Sequence, residues 1–337
     1  MLFTIDEIKT KITQGKNLLL AGEENVLEQL PTGNWIGGTI PYFMTDKGGL
    51  ANQDMVYATE LPDYIEGISI KVYDEKSISS VFLEAPENGF SLILIPSSCP
   101  THFSFALNAP KYEGFGTRPL IGWITGIHLD DLGKKQAKIF NGKTGDVLDD
   151  SAIVMHVSLP KNMYTDIGII NIFSQGDGDT IVFPEDSFSA TDAYINGEKR
   201  NFAEYIKEND LDSRFPLVAN YYGVMINISI QSVDEENKKV VFYAPVFKGI
   251  EYKHAAEIKD YVKEFLLQMP QESVDKIVFS CNCILNYLYS ELEGKKTGGI
   301  LGPMTFGEIA YQLLNQTLAY ITIDELPLEE EEEDEGE

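Results

Sequence analysis

Ile5, Ile8 and Ile12 recur at the interval of one helical face and predict an amphipathic helix near the start of the chain. Thr4-Ile5-Asp6-Glu7 sets its beginning. This is a capping box, in which the Thr hydroxyl accepts from the Glu7 N–H and Glu7 reaches back. Gly15 is the stop. Asn17-Leu18-Leu19-Leu20-Ala21-Gly22 then reads as a buried strand, residues 23–30 as a short helix ended by Pro31, and residues 34–43 as an apolar strand opening into the glycine turn Gly37-Gly38. A similar order returns later. Residues 258–269 carry Tyr261, Phe265 and Leu266 on one helical face. Lys276-Ile277-Val278-Phe279-Ser280-Cys281 is a short apolar strand, residues 284–293 suit a helix, and residues 298–310 form a glycine-rich strand and turn. The two halves therefore read as a weak internal repeat.

The middle of the chain is rich in strands. Buried-type runs occupy residues 90–96, 120–124, 152–157 and 167–173. Residues 224–230 and 240–246 predict a hairpin closed by the polar stretch 234–237. Helices and strands mix without strict alternation, which favours α+β over a doubly wound fold. The expectation is two α+β domains with mixed or antiparallel sheets flanked by helices, residues 1–190 and 191–325, followed by an acidic tail, residues 326–337.

Charge narrows the partners. The 337-residue chain carries a formal net charge of −27, and eight of its last nine residues are acidic. Such a surface repels phosphate backbones and anionic lipid, so neither nucleic acid nor membrane is an expected partner. The tail is a block of like charges and reads as a solubilising, unstructured segment. No run of eighteen apolar residues exists, and the N-terminus lacks the basic and apolar regions of a secretory signal. Three cysteines, Cys99, Cys281 and Cys283, are not a disulfide framework. The expected compartment is the reducing cytoplasm.

Four stretches of the second half give a resemblance. They are residues 193–205, with Ala193-Tyr194-Ile195-Asn196-Gly197-Glu198; residues 242–249, a strand ending in Gly249; Val278-Phe279-Ser280-Cys281; and Gly298-Gly299 through Thr305-Phe306-Gly307-Glu308-Ile309-Ala310 to Leu314-Asn315-Gln316-Thr317. In this order they resemble the C-terminal part of FIST domains, intracellular sensory modules that bind small ligands. Residues 17–43 are similar to the opening of the same family. Where that family continues after Phe-Ser-Cys with Gly-Arg, this chain has Asn282-Cys283-Ile284-Leu285. The resemblance implies a small-ligand sensor rather than an enzyme. The chain has no room for an output domain, so the signal is expected to pass to a partner protein.

The chemistry-bearing residues each have a plainer reading beside the functional one. Cys281 and Cys283 lack further ligands at zinc spacing, and His102, His128, His156 and His254 are scattered. Cys99-Pro100-Thr101-His102 brings a thiol and an imidazole together, but a catalytic base is normally distant in sequence. Thr305-Phe306-Gly307-Glu308 fits a capping box that starts a last helix, whose free N–H groups can face an anion. The expected ligand site joins Gly37, Gly38 and Thr39 to Cys281, Gly299, Thr305, Gly307 and Glu308, where small residues at strand ends leave a hollow. An amino-acid-like ligand satisfies both the helix start and Glu308. No cofactor is expected. The alternatives are haem held by one histidine and a hydrolase or transferase acting through Cys99 or Cys281.

Overall fold

The first helix forms where the isoleucine spacing puts it. In the computed structural model, which describes residues 1–221, 224–270 and 274–326, Ile5–Thr13 is helical and Thr4 is its N-cap. The Glu7 N–H donates to the Thr4 hydroxyl, and the Thr4 N–H donates to the Glu7 carboxylate. Ile8 and Ile12 bury in one cluster with Leu18, Leu20, Val26 and Trp35. The expected second helix is only one turn, Glu24–Leu27.

The apolar runs at 90–96, 120–124 and 152–157 become strands covered on both faces, whereas the run expected to be buried over 167–173 is only partly covered, with Ile169 38 % exposed. One sheet contains Leu18–Gly22 parallel to Trp35–Thr39. A second runs in the order Gln312–Leu314, Glu308–Ala310, Leu120–Thr125, Gly89–Pro96, Ala152–Ser158, Gly67–Tyr73. A third runs Met163–Ile170, Leu318–Glu325, Ile277–Cys283, Gly302–Thr305, Tyr42–Thr45, Gly48–Ala51. Among the described strands, three pairs are parallel and the others antiparallel: 18–22 with 35–39, 89–96 with 120–125, and 277–283 with 302–305. The fold is broadly α+β and rich in sheet, as the mixed pattern implies.

The sheets do not follow a division at residue 190. Gly302–Thr305 pairs with Tyr42–Thr45, Glu308–Ala310 with Leu120–Thr125, and Leu318–Glu325 with Met163–Ile170. The largest apolar cluster accordingly runs from Leu19 to Ile323, with Trp123 stacked on Phe279 at 5.6 Å. Residues 181–254 build two sheets of their own, between two strands, Met163–Ile170 and Leu318–Glu325, that pair with each other. The expected hairpin is half present. Ile230–Asp234 pairs with Lys239–Val246, but Val224–Ile228 pairs with Leu217–Tyr221 in the other sheet, so the chain changes sheets at Ser229.

Gly122 shows how closely two of the strands approach. A Cβ there would stand 1.8 Å from the Ile93 carbonyl oxygen on the neighbouring strand. Only glycine fits such a contact.

Two local expectations are corrected. No helix starts at Thr305: residues 302–310 form the strands Gly302–Thr305 and Glu308–Ala310. The anion-binding helix N-terminus expected there is absent, because Ile309, Ala310, Leu313 and Leu314 are all buried between sheets. Conversely, Cys99-Pro100-Thr101-His102, for which a loop after the 90–96 strand is the plain sequence reading, begins a nine-residue helix, Pro100–Asn108, with Cys99 as N-cap and Pro at its first position. The helix expected over 258–269 spans Tyr261–Leu267 and is capped by Asp260. The acidic tail lies outside the described residues from 327 onward. Among the described residues, no helix is long and apolar enough to cross a membrane.

Candidate functional site

Cys281, Thr305, Gly307 and Glu308 do come together, but inside the core. Glu308 follows a strand turn, pairs opposite Trp123, and is fully buried. Its Oε2 accepts from the Thr317 N–H at 3.2 Å and from the Thr317 hydroxyl at 2.8 Å. Its Oε1 lies 3.4 Å from the Thr305 hydroxyl, and the Cys283 thiol also bonds to the carboxyl. The Cys281 thiol donates to the Gly122 carbonyl oxygen at 3.2 Å. Burial pushes the Glu308 carboxyl up to about 8, against the weaker pull of the Thr317 bonds. A buried acid with only neutral neighbours holds its proton because desolvation penalises the charged form. Burial and the nearby Glu308 push the thiols of Cys281 and Cys283 up as well. This cluster ties Ile277–Cys283, Gly302–Thr305 and the 315–317 turn together through one neutral carboxyl.

The remaining expected site residues lie elsewhere. Gly37 and Gly38 sit inside the strand Trp35–Thr39, where a Cβ on Gly38 would stand 2.5 Å from Thr125 Cγ2. Thr39 is held by Lys138, whose N–H donates to its hydroxyl, and by the Gly126 N–H, which donates to its carbonyl. Gly299 lines a separate groove of about 300 Å³ with Phe3 and Tyr57.

A further recess is a cavity of about 730 Å³. It opens where the parallel strands Gly89–Pro96 and Leu120–Thr125 end, the edge at which open α/β sheets commonly hold ligands. After Pro96 the chain turns through Ser98, a non-glycine residue in the left-handed region at φ 64°, into the Pro100–Asn108 helix. The opposite wall comes from Phe188 and Ser189, from Val241 and Tyr243 on the 239–246 strand, and from the Ile284–Tyr289 helix.

The sequence shows His102 only as an imidazole close to Cys99, and its place at the polar centre of this wall is set by the fold. The Ser98 N–H donates to His102 Nδ1 at 3.1 Å. That bond leaves the proton of the neutral imidazole on Nε2. His102 Nε2 is buried and has no hydrogen-bond partner among the described residues. Burial pulls the imidazole down to about 4, so it is uncharged near neutrality. The ring is stacked on Phe103, with centroids 5.4 Å apart, and meets the edge of Phe188. Cys99 does not face the imidazole as a nucleophile faces a base. Its sulfur accepts from the His102 backbone N–H at 3.3 Å, and burial raises its pKa. The local signal was present in Ser97-Ser98-Cys99-Pro100, a small polar turn with proline in the first helical position.

A second buried imidazole has a different setting. His156 bridges Ser91, 2.7 Å from Nδ1, and Tyr73, 2.9 Å from Nε2. Tyr73 in turn donates to Glu84. The serine–imidazole contact has the spacing of a nucleophile and base, yet Ser91 is fully buried in mid-strand and lines none of these recesses. Its role here is to join three adjacent strands. Among the described residues, no group of three or more His, Cys, Asp or Glu side chains is placed to hold a metal ion.

The chain matches the model of DUF6976, a family of unknown function, over residues 3–324. It belongs to that family. The match runs through both halves and includes every residue of the cavity wall and of the Glu308 cluster. No curated protein and no solved structure matches it.

Proposed function

We propose that this protein is a cytoplasmic small-ligand-binding sensor, with its ligand in the 730 Å³ cavity and its signal passed to a partner protein. One observation carries the reading: a mainly apolar recess at the ends of two parallel strands is lined by His102, whose buried Nε2–H has no hydrogen-bond partner among the described residues. Ligand sites commonly combine such walls with a few fixed polar groups. A buried donor without a partner costs about 1–3 kcal/mol, which a bound acceptor removes. The resemblance to FIST sensory domains points the same way. Three unpaired, buried cysteines fit a reducing compartment.

The rival chemistries have less support. Haem ligation through His102 needs a lone pair on Nε2, but the Ser98 N–H occupies Nδ1 and leaves the proton on Nε2. A thiol nucleophile needs a lowered pKa, and burial raises those of Cys99, Cys281 and Cys283.

Native mass spectrometry of freshly purified protein tests the proposal. The expected result is a bound small molecule that is lost in Ser189→Trp, which places an indole in the cavity. If the purified protein carries nothing and no compound of a metabolite set raises its Tm, the reading fails. It also fails if ligand binding is the same in Ser189→Trp.

A further inference from the structure

The cavity reading above can be taken one step further, to the chemistry of its ligand. We propose that the ligand is an uncharged aromatic carbonyl compound, whose carbonyl oxygen accepts the hydrogen bond that His102 Nε2–H offers. This rests on the cavity being the ligand site.

Three observations lead to it. The first is the direction of the hydrogen bond. With Nδ1 filled by the Ser98 N–H, the imidazole presents a donor and no acceptor at Nε2, so its partner must bring a lone pair. The second is the charge around the recess. The imidazole is neutral, so it gives an anion no counter-charge. Lys135 lines the cavity but is already paired with Asp131 at 2.7 Å. Lys239 also lines the recess, but so do Asp149 and Asp150, so the lining carries no net positive charge. A carboxylate or phosphate would therefore leave water without net compensation. The third is the surface the ligand meets. Phe103, Phe188 and Phe306 line the cavity, and three large apolar side chains on its wall are unusually exposed: Phe103 at 40 %, Leu132 at 56 % and Leu288 at 39 %. Exposed apolar groups gathered at one opening mark a binding surface. Phe103 and Phe188 already meet edge to face at 5.0 Å, and a planar guest can join that arrangement.

Water does not reach Nε2. The guest's oxygen therefore enters beside Phe103, the stacked and most exposed of the rings around the imidazole. An exposed aromatic side chain changes rotamer in nanoseconds, so this displacement sets no slow step.

The test uses prodan, an uncharged naphthyl ketone whose emission shifts to the red when its carbonyl is hydrogen-bonded. Acetylnaphthalene and naphthoate serve as competitors of nearly the same shape, one neutral and one anionic. In the wild-type protein, prodan should bind with red-shifted emission, and acetylnaphthalene should displace it at a concentration about tenfold lower than naphthoate does. His102→Phe keeps a planar ring and removes the donor. It should weaken prodan about tenfold and shift the bound emission to the blue. His102→Gln, which restores an N–H near the Nε2 position, should recover much of both. If His102→Phe does not fold, the competition in the wild type and the emission of His102→Gln still decide. Prodan bound equally well and at equal wavelength in wild type and His102→Phe keeps the cavity and overturns the hydrogen bond. Naphthoate competing better than the ketone overturns the uncharged ligand in favour of an anion. No probe binding to the wild type overturns both the inference and the cavity reading beneath it.

Discussion

Replacing Glu308 with Gln should leave the variant more stable than the wild type at neutral pH, by a margin that widens between pH 6.5 and pH 8. Glu308 is fully buried, and its carboxyl is pushed up from 4.5 to about 8. The folded protein thus keeps a proton that the unfolded chain releases above pH 4.5. Stability from this group is complete below that value and declines as pH rises to about 8, by about 1.4 kcal/mol per pH unit. Between pH 6.5 and 8 the decline comes to about 2 kcal/mol. Other groups also titrate near this range. His102 and His156, pulled down to about 4, add stability as pH rises to 6.5. The N-terminal amine, pushed down to about 6 by burial, adds stability toward pH 8. These terms are common to wild type and variant, so the difference between the two isolates Glu308. The glutamine side chain that replaces it is neutral throughout. Its amide oxygen can accept the two Thr317 bonds, and one amide hydrogen can reach the Thr305 hydroxyl. The other is left without a partner, at a cost of about 1 kcal/mol. By pH 6.5 the wild type has already lost about 2.7 kcal/mol, so the variant, about 1 kcal/mol worse where both side chains are neutral, should be about 1.7 kcal/mol more stable at pH 6.5 and about 3.5 kcal/mol more stable at pH 8. Urea unfolding followed by tryptophan fluorescence measures this, since Trp123 is buried opposite Glu308. Parallel curves, with a constant gap at both pH values, would show that Glu308 is ionised in the folded protein.

Further outcomes follow from other buried contacts. His102 and His156 have folded values near 4 against 6.5 unfolded, so the stability of their neutral forms is present above pH 6.5 and is lost as pH falls toward 4. Proton resonances of both rings should titrate near pH 4, and midpoints near 6.5 would contradict the burial argument. Gly122→Ala should cost more than about 4 kcal/mol, because its Cβ would overlap the Ile93 carbonyl, and the backbone there cannot give way cheaply. A soluble variant with wild-type Tm would refute that packing. The three thiols should resist a disulfide exchange reagent in the native state and react fully in denaturant, since all are buried with raised pKa. Labelling within seconds would show an accessible thiolate. Cys281→Ser keeps a donor toward the Gly122 carbonyl but buries a more polar atom, and should lower stability by about 1–2 kcal/mol in chemical denaturation. A variant as stable as the wild type would remove Cys281 from the core account.

Local pattern was sufficient wherever neighbouring residues alone decide the structure. The Ile5, Ile8, Ile12 face and its Thr4–Glu7 cap specify a helix through contacts three or four residues apart. The apolar runs near residues 90, 120 and 152 specify buried strands, because nothing but a two-sided cover suits them. Thr305-Phe306-Gly307-Glu308 has the same spacing as Thr4 to Glu7, and here the pattern misled. The threonine and glutamate do meet, at 3.4 Å, but across a turn between strands. What distinguishes the two cases is remote: Glu308 lies opposite Trp123 and is bonded by Thr317, whereas Glu7 faces water. The halves of the chain share sheets for a similar reason. Strand partners are chosen by which apolar faces can cover each other, and Gly302–Thr305 finds its cover beside Tyr42–Thr45. The cavity had the weakest local signal of all. Its walls come from segments near residues 98, 127, 188, 241, 285 and 306, and the unpaired state of His102 Nε2 depends on all of them. A sequence records which groups can bond, while an unsatisfied donor is a property of everything folded around it.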